Sequence, residues 1–226
     1  MTRGLSIIVG LVCTVMSGPV SAQSSILPVA TDVPPSIALA DSARQVADWI
    51  ASSSDNHAMP YAIVDKVNGA VFLFDARGRL LASVPALVGI AMGDEASPGI
   101  GSKKLGEIGP AEKTTPAGRF LAKFGLAFGR ERILWVDYAT SVAIHPIPAD
   151  SAKRENRRER MLSPTSDDNR ITFGCINVPK MFYGKFLKPL FQKKGGYVYI
   201  MPDTKPLDEI FPRLRVHALG GPAQGG

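Results

Sequence analysis

The chain has 226 residues, 45% hydrophobic and 20% charged, with a formal net charge of +6. That length supports one ordinary domain with a real core and a short appendage. The modest basic excess favours anionic surroundings, and beyond the N-terminus no stretch approaches the roughly 20 apolar residues of a membrane-spanning helix.

Residues 1–22 read as a secretory signal, with Arg3 as the basic start, Leu5 to Met16 as the apolar stretch and Val20-Ser21-Ala22 as a small-residue cleavage site. Cleavage there leaves 204 residues with a formal charge of +5 and removes Cys13, so that Cys175 is the cysteine retained. Residues 23–59 read as a leader or linker carrying a short helix. Its first part, Gln23 to Ser36, is small, polar and Pro-punctuated. Asp41 is a good N-cap for a helix from Ser42, with Val46, Trp49 and Ile50 on one stripe and Ser52 to Asp55 as its stop.

Strand signals follow. Tyr61 to Val67 and Ala70 to Phe74 flank Asn68-Gly69, which predicts a tight hairpin, and Asp75 to Gly78 marks a second turn. Arg79 to Gly89 is again β-like. Gly93 to Gly109 reads as a Gly-rich connection, since Gly99-Ile100-Gly101 does not extend to a dinucleotide-binding fingerprint. Gly118 to Gly125, Arg132 to Tyr138 and Ser141 to His145 are further strand candidates, interrupted by a basic, polar segment from Ala149 to Arg170. Pro179 can open a helix with Phe182, Phe186, Leu187 and Leu190 on one face. Tyr197 to Met201 supplies a last strand closing the sheet, and residues 202–226 read as a C-terminal tail.

A lone cysteine in an exported chain is either a reactive or intermolecular thiol or a small buried hydrophobe. As a nucleophile it needs a base, because a free thiol of pKa about 8.5 is mostly protonated at neutral pH. Of the three histidines, His57 lies in a polar stretch and His217 near the Gly-rich tail. His145 ends the apolar run Val142-Ala143-Ile144 and precedes Pro146, which predicts a ring at a strand terminus facing a loop. Gly174 leaves room where a substrate carbonyl must approach, backbone N–H groups there can meet an oxyanion, and Thr172 and Asn177 offer polar support.

Thr172-Phe173-Gly174-Cys175-Ile176-Asn177 resembles the [S/T]-H-G-C-hydrophobic-[N/R] signature of the L,D-transpeptidase (YkuD) catalytic domain, with His145 at the place of its upstream histidine. Ile63 to Lys66 with the hairpin after it, and Thr114-Thr115-Pro116-Ala117-Gly118-Arg119-Phe120, resemble that domain's opening strands and T-P-x-G-x-F element, so the resemblance covers residues 60–201. It implies a mainly β fold with short helices, a YkuD-like β-sandwich. It also implies acyl transfer on peptidoglycan stem peptides in the periplasm or cell envelope, with Cys175 as nucleophile, His145 as base and no cofactor or metal.

Two departures stand out. Phe173 replaces the signature's histidine, and the interval from His145 to Cys175 is lengthened by the basic insert. Within the insert, Arg158, Arg160, Asn169 and Arg170 resemble the R-x-R and N-R positions of a proteobacterial branch. The insert reads either as a solvated helix face with Glu155 and Glu159 pairing locally, or as a lid whose Arg158, Arg160 and Arg170 hold stem-peptide carboxylates. Two other functions compete with transfer: hydrolysis of the same acyl-enzyme by a carboxypeptidase or amidase, and a non-catalytic cell-wall binding module. Nucleic acid is a poor partner for an exported chain without an RNA or single-strand signature.

Overall fold

A computed structural model describes residues 37–127 and 131–219, with side chains described as far as residue 215. The signal and the leader's first part lie outside these residues, as do the last seven positions and the side chain of His217.

The chain enters through α1 (Asp41–Ser53), whose N-cap is Ala40, so Asp41 lies inside the first turn. There its carboxylate still complements the N-terminal end of the helix dipole. The helix buries Ala43, Val46, Ala47, Trp49 and Ile50 and ends at Ser54, which adopts the left-handed conformation. Among the described residues ten strands follow: β1 (Tyr61–Asp65), β2 (Ala70–Phe74), β3 (Leu80–Pro85), β4 (Val88–Gly89), β5 (Gly118–Leu126), β6 (Arg132–Asp137), β7 (Val142–Pro146), β8 (Arg170–Thr172), β9 (Ile176–Val178) and β10 (Gly196–Ile200). The fold is mainly β with short helices, as the strand pattern predicts.

Eight strands form one sheet in the order β3-β2-β1-β10-β5-β6-β7-β9, and β4 pairs with β8 separately. The last strand does not sit at an edge. β10 lies in the middle, parallel to β1 and antiparallel to β5. The sheet curls back on itself, because Leu87 and Asn177 exchange backbone hydrogen bonds of 2.9 Å in both directions. Residues from both ends of the sheet, including Val71 and Leu73 as well as Leu134, Ile144 and Ile176, therefore share one core. The alternate residues Tyr61, Ile63, Phe72, Phe74 and Tyr199 face a second core with α1. β1 and β2 are buried at every position, which explains their unbroken apolar runs.

The first hairpin differs from the tight one expected. β1 ends at Asp65, so the turn is four residues long, with Asp65 accepting from Asn68 N and Nδ2. Lys66, a turn residue, is instead buried against Asp94 and Asp203. Gly69 has φ +58° and faces Asn169 so closely that a Cβ would overlap its side chain.

The helix after Pro179 also departs from its simple stripe. It runs as α4 (Lys180–Phe182), a π turn (Tyr183–Leu187) and α5 (Lys188–Phe191). Lys188 N–H bonds back to Tyr183 O, five residues away, and Pro189 has no N–H to give to Lys185 O. The phase shift buries Tyr183, Leu187 and Phe191 with Phe182 and leaves Phe186 44% exposed. Beyond β10 the chain forms α6 (Leu207–Ile210) and α7 (Pro212–Leu219), whose Phe211 and Leu214 enter the second core.

Candidate active site

Cys175 stands immediately before β9, and its thiol is free and half-buried. Three side chains shape its loop. Thr172 Oγ1 accepts from Gly174 N at 3.2 Å and donates to Cys175 O at 2.6 Å. Thr115 Oγ1 donates to Gly174 O and accepts from Gly89 N, both at 2.8 Å. Gly174 has φ +124°, and a Cβ there would lie 2.7 Å from Thr114 O, so both conformation and space require glycine. Its N–H is engaged within the loop by Thr172.

The parallel pairing of β7 with β9 sets His145 opposite Asn177. His145 Nδ1 lies 2.8 Å from Pro146 O, and its Nε2 lies 3.4 Å from Asn177 Nδ2. Asn177 is fully buried and accepts at Oδ1 from Arg157 Nη1 at 2.7 Å. That bond turns the amide so its NH2 faces the ring, which puts the imidazole proton on Nδ1, donated to Pro146 O, and leaves the Nε2 lone pair toward Asn177. The thiol itself is directed at Ser141 O, 3.6 Å away, in a turn where Asp137 accepts from Ala139 N and Thr140 Oγ1. Among the described residues no hydrogen bond joins Cys175 to His145.

Burial pushes the Cys175 thiol up, against the pull of the Ala143 N–H and the Arg157 charge. Burial pushes His145 down, opposed by its bond to Pro146 and by Glu131, and reinforced by Arg157. Both shifts favour the uncharged forms, a thiol beside a neutral imidazole. Such a pair can move a proton from sulfur to nitrogen when a carbonyl arrives.

Arg157 is the site residue that the sequence reading missed. It sits at the start of α3 (Arg157–Met161), 5% exposed, and its guanidinium pairs with Glu155 Oε2 at 2.7 Å. The basic insert forms α2 (Ala149–Arg154), α3 and a 3-10 turn (Ser166–Asn169). Only Arg157 and Met161, one helical turn apart, are buried within α3; that spacing is the one signal distinguishing Arg157 from its basic neighbours. The insert's far end is pinned by Asn169, which donates to Gly69 O and Ala86 O.

Of the arginines nominated from sequence, Arg158 is exposed. Arg160 donates to Asp168 O at 3.0 Å, within the insert. Arg170 pairs with Asp203 at 2.7 Å. His57 lies at an exposed turn near the Tyr197 ring.

No protein-family profile matches the chain, and no curated protein matches it. Among solved structures it is similar to an L,D-transpeptidase from Xylanimonas cellulosilytica, at 14% identity and a TM-score of 0.37, over 63% of this chain and 60% of that one. It is also similar to the catalytic domain of an L,D-transpeptidase from E. faecium, at 18% identity and a TM-score of 0.33, over 63% of this chain and 96% of that one.

Proposed function

We propose that the chain is an exported peptidoglycan L,D-transpeptidase that works in the cell envelope through a Cys175 thioester. The observation that carries this reading is the free thiol at the head of β9, one strand from a histidine whose ring is oriented at both nitrogens. The resemblance of residues 172–177 to the transpeptidase signature supplies the substrate class.

In the first half-reaction, His145 Nε2 gives up its long 3.4 Å contact with Asn177 and takes the Cys175 proton as sulfur attacks the carbonyl at the L-centre of the stem-peptide diaminopimelate. Pro146 O holds the ring in the required tautomer, the part an acid takes in a triad. With Gly174 N–H engaged by Thr172, the Cys175 N–H is the amide assigned to the developing oxyanion. The C–N bond to the terminal D-alanine breaks, and His145 returns the proton to the departing amine. An amine of a second stem or another acceptor then attacks the thioester, giving its proton to His145 and restoring the thiol. Arg157 provides the positive charge near the sulfur and holds the Asn177 amide. Arg158, exposed on the insert, is available to a stem carboxylate.

Product masses test the reaction. Defined tetrapeptide with an amine acceptor yields a cross-linked product and free D-alanine. A shortened stem alone means hydrolysis, and unchanged substrate means neither.

A further inference from the structure

Segment 113–115 runs beside the nucleophile loop, held by the Thr115 bond to Gly174 O and the close approach of Thr114 O to Gly174. At its head, the Lys113 ammonium lies 3.8 Å from the centroid of the Phe173 ring. Phe173 is 36% exposed and stands two residues ahead of Cys175. A cation over an aromatic face is fixed in place by the ring's quadrupole while its remaining N–H donors stay available.

Three other cations of the site's surroundings in sequence are held in ion pairs. Lys103 pairs with Glu112 at 2.5 Å, Arg157 with Glu155, and Arg170 with Asp203. Glu112, next to Lys113 in the chain, is turned to Lys103 and to Gly109 N. Among the described residues, no carboxylate lies within ion-pair distance of Lys113.

We propose that Lys113, braced on Phe173, is the receptor for the free carboxylate of the terminal D-amino acid that the reaction expels. The inference rests on the transpeptidase reading and adds to it the group that selects the donor. A transfer that removes only the last residue must tell a chain end from a chain interior, and the free carboxylate is what differs. That carboxylate sits on the α-carbon attached to the scissile nitrogen, so its receptor must border the nucleophile loop, where Lys113 is fixed. Lys113 takes no part in bond making, which stays with Cys175 and His145. The hydrophobic face of Phe173 shields one side of the ammonium from water and strengthens its pairing with an anion. Phe173 thus has a use of its own where the family signature has a histidine.

The test is equilibrium binding of L-Ala-γ-D-Glu-diaminopimelyl-D-Ala, as the free acid and as its C-terminal carboxamide, to the Cys175→Ala protein. A charge-assisted hydrogen bond implies a preference for the acid of roughly 10- to 100-fold. Adding Lys113→Met, which keeps an apolar stem over Phe173, abolishes the preference by weakening the acid to the level of the amide, and Lys113→Arg restores it. A preference that survives Lys113→Met overturns the proposal, as does failure of the Cys175→Ala protein to bind either peptide. Wild-type protein run in parallel separates the two claims: acid-selective binding without a mass adduct on Cys175 refutes the transpeptidase reading and leaves the carboxylate receptor standing.

Discussion

Cys175 is pushed up and His145 pushed down chiefly by burial, so at neutral pH the site rests as a thiol and a neutral imidazole and not as an ion pair. The sign of the pH dependence follows. Below the ordinary thiol range the thiolate fraction is smaller than that of a free cysteine, and the rate of iodoacetamide alkylation climbs with pH through about 9 without a plateau at pH 5 to 7. Arg157 lowers both groups. Arg157→Gln therefore moves the alkylation profile to higher pH and raises the His145 titration seen by NMR; an unmoved profile contradicts the role given to this arginine. Cys175 and His145 were legible because their residue types are scarce and each has a distinctive neighbourhood, Gly174 before one and Pro146 after the other. Arg157 was not, because five basic residues crowd into residues 153–160 and only the tertiary fold selects the one that reaches Asn177.

Between elements, buried charge is concentrated where the β1–β2 turn, the loop after β4 and the exit of β10 meet. Lys66 Nζ donates to Gly93 O at 2.7 Å and Thr115 O at 2.9 Å, and lies 3.0 Å from Asp94 and 3.3 Å from Asp203. Asp203 in turn holds Arg170 on β8, so the same cluster fixes both Thr115 and the strand leading to Cys175. Replacing Lys66 with Met leaves two buried carboxylates short of a partner and costs about 3–5 kcal/mol in denaturant unfolding. A loss under 1 kcal/mol would refute the assignment. Burial opposes ionisation of Asp94, but donors from Asp203 N, Thr204 N and Oγ1 and Lys205 N outweigh it and hold its carboxyl well below the usual range. The unfolded chain binds this proton more readily, so Asp94 contributes stability that is present above about pH 4 and is lost as pH falls toward its folded value. A lysine in a hairpin turn reads as solvated from sequence alone. Its burial depends on carboxylates 28 and 137 residues away in the chain, which no local pattern reveals.

Across the whole molecule, the two faces of the sheet divide the labour. The first core, with Ile144, Ile176 and Phe182, lies under the site, while the second joins α1 to Tyr199, Phe211 and Leu214. Phe211→Ala removes a 2%-exposed ring packed against Trp49 and Tyr199 and costs about 3–5 kcal/mol of stability. Because β1 and β10 intervene, the alkylation profile of Cys175 stays unchanged in that variant while it remains folded; a parallel loss of thiol reactivity would contradict the division. The strand runs and α1 were readable from period and composition. The central place of β10 was not, since its pairing with β1 joins Tyr61 to Tyr197 and only long-range packing sets that register.

Whether Cys175 is an acyl-accepting nucleophile is decided by the intact mass of the mature protein incubated with disaccharide-tetrapeptide under reducing conditions. The expected adduct equals the substrate less its terminal D-alanine, present on the wild type and missing from Cys175→Ala. An unmodified wild-type protein, or an adduct that persists in Cys175→Ala, contradicts it.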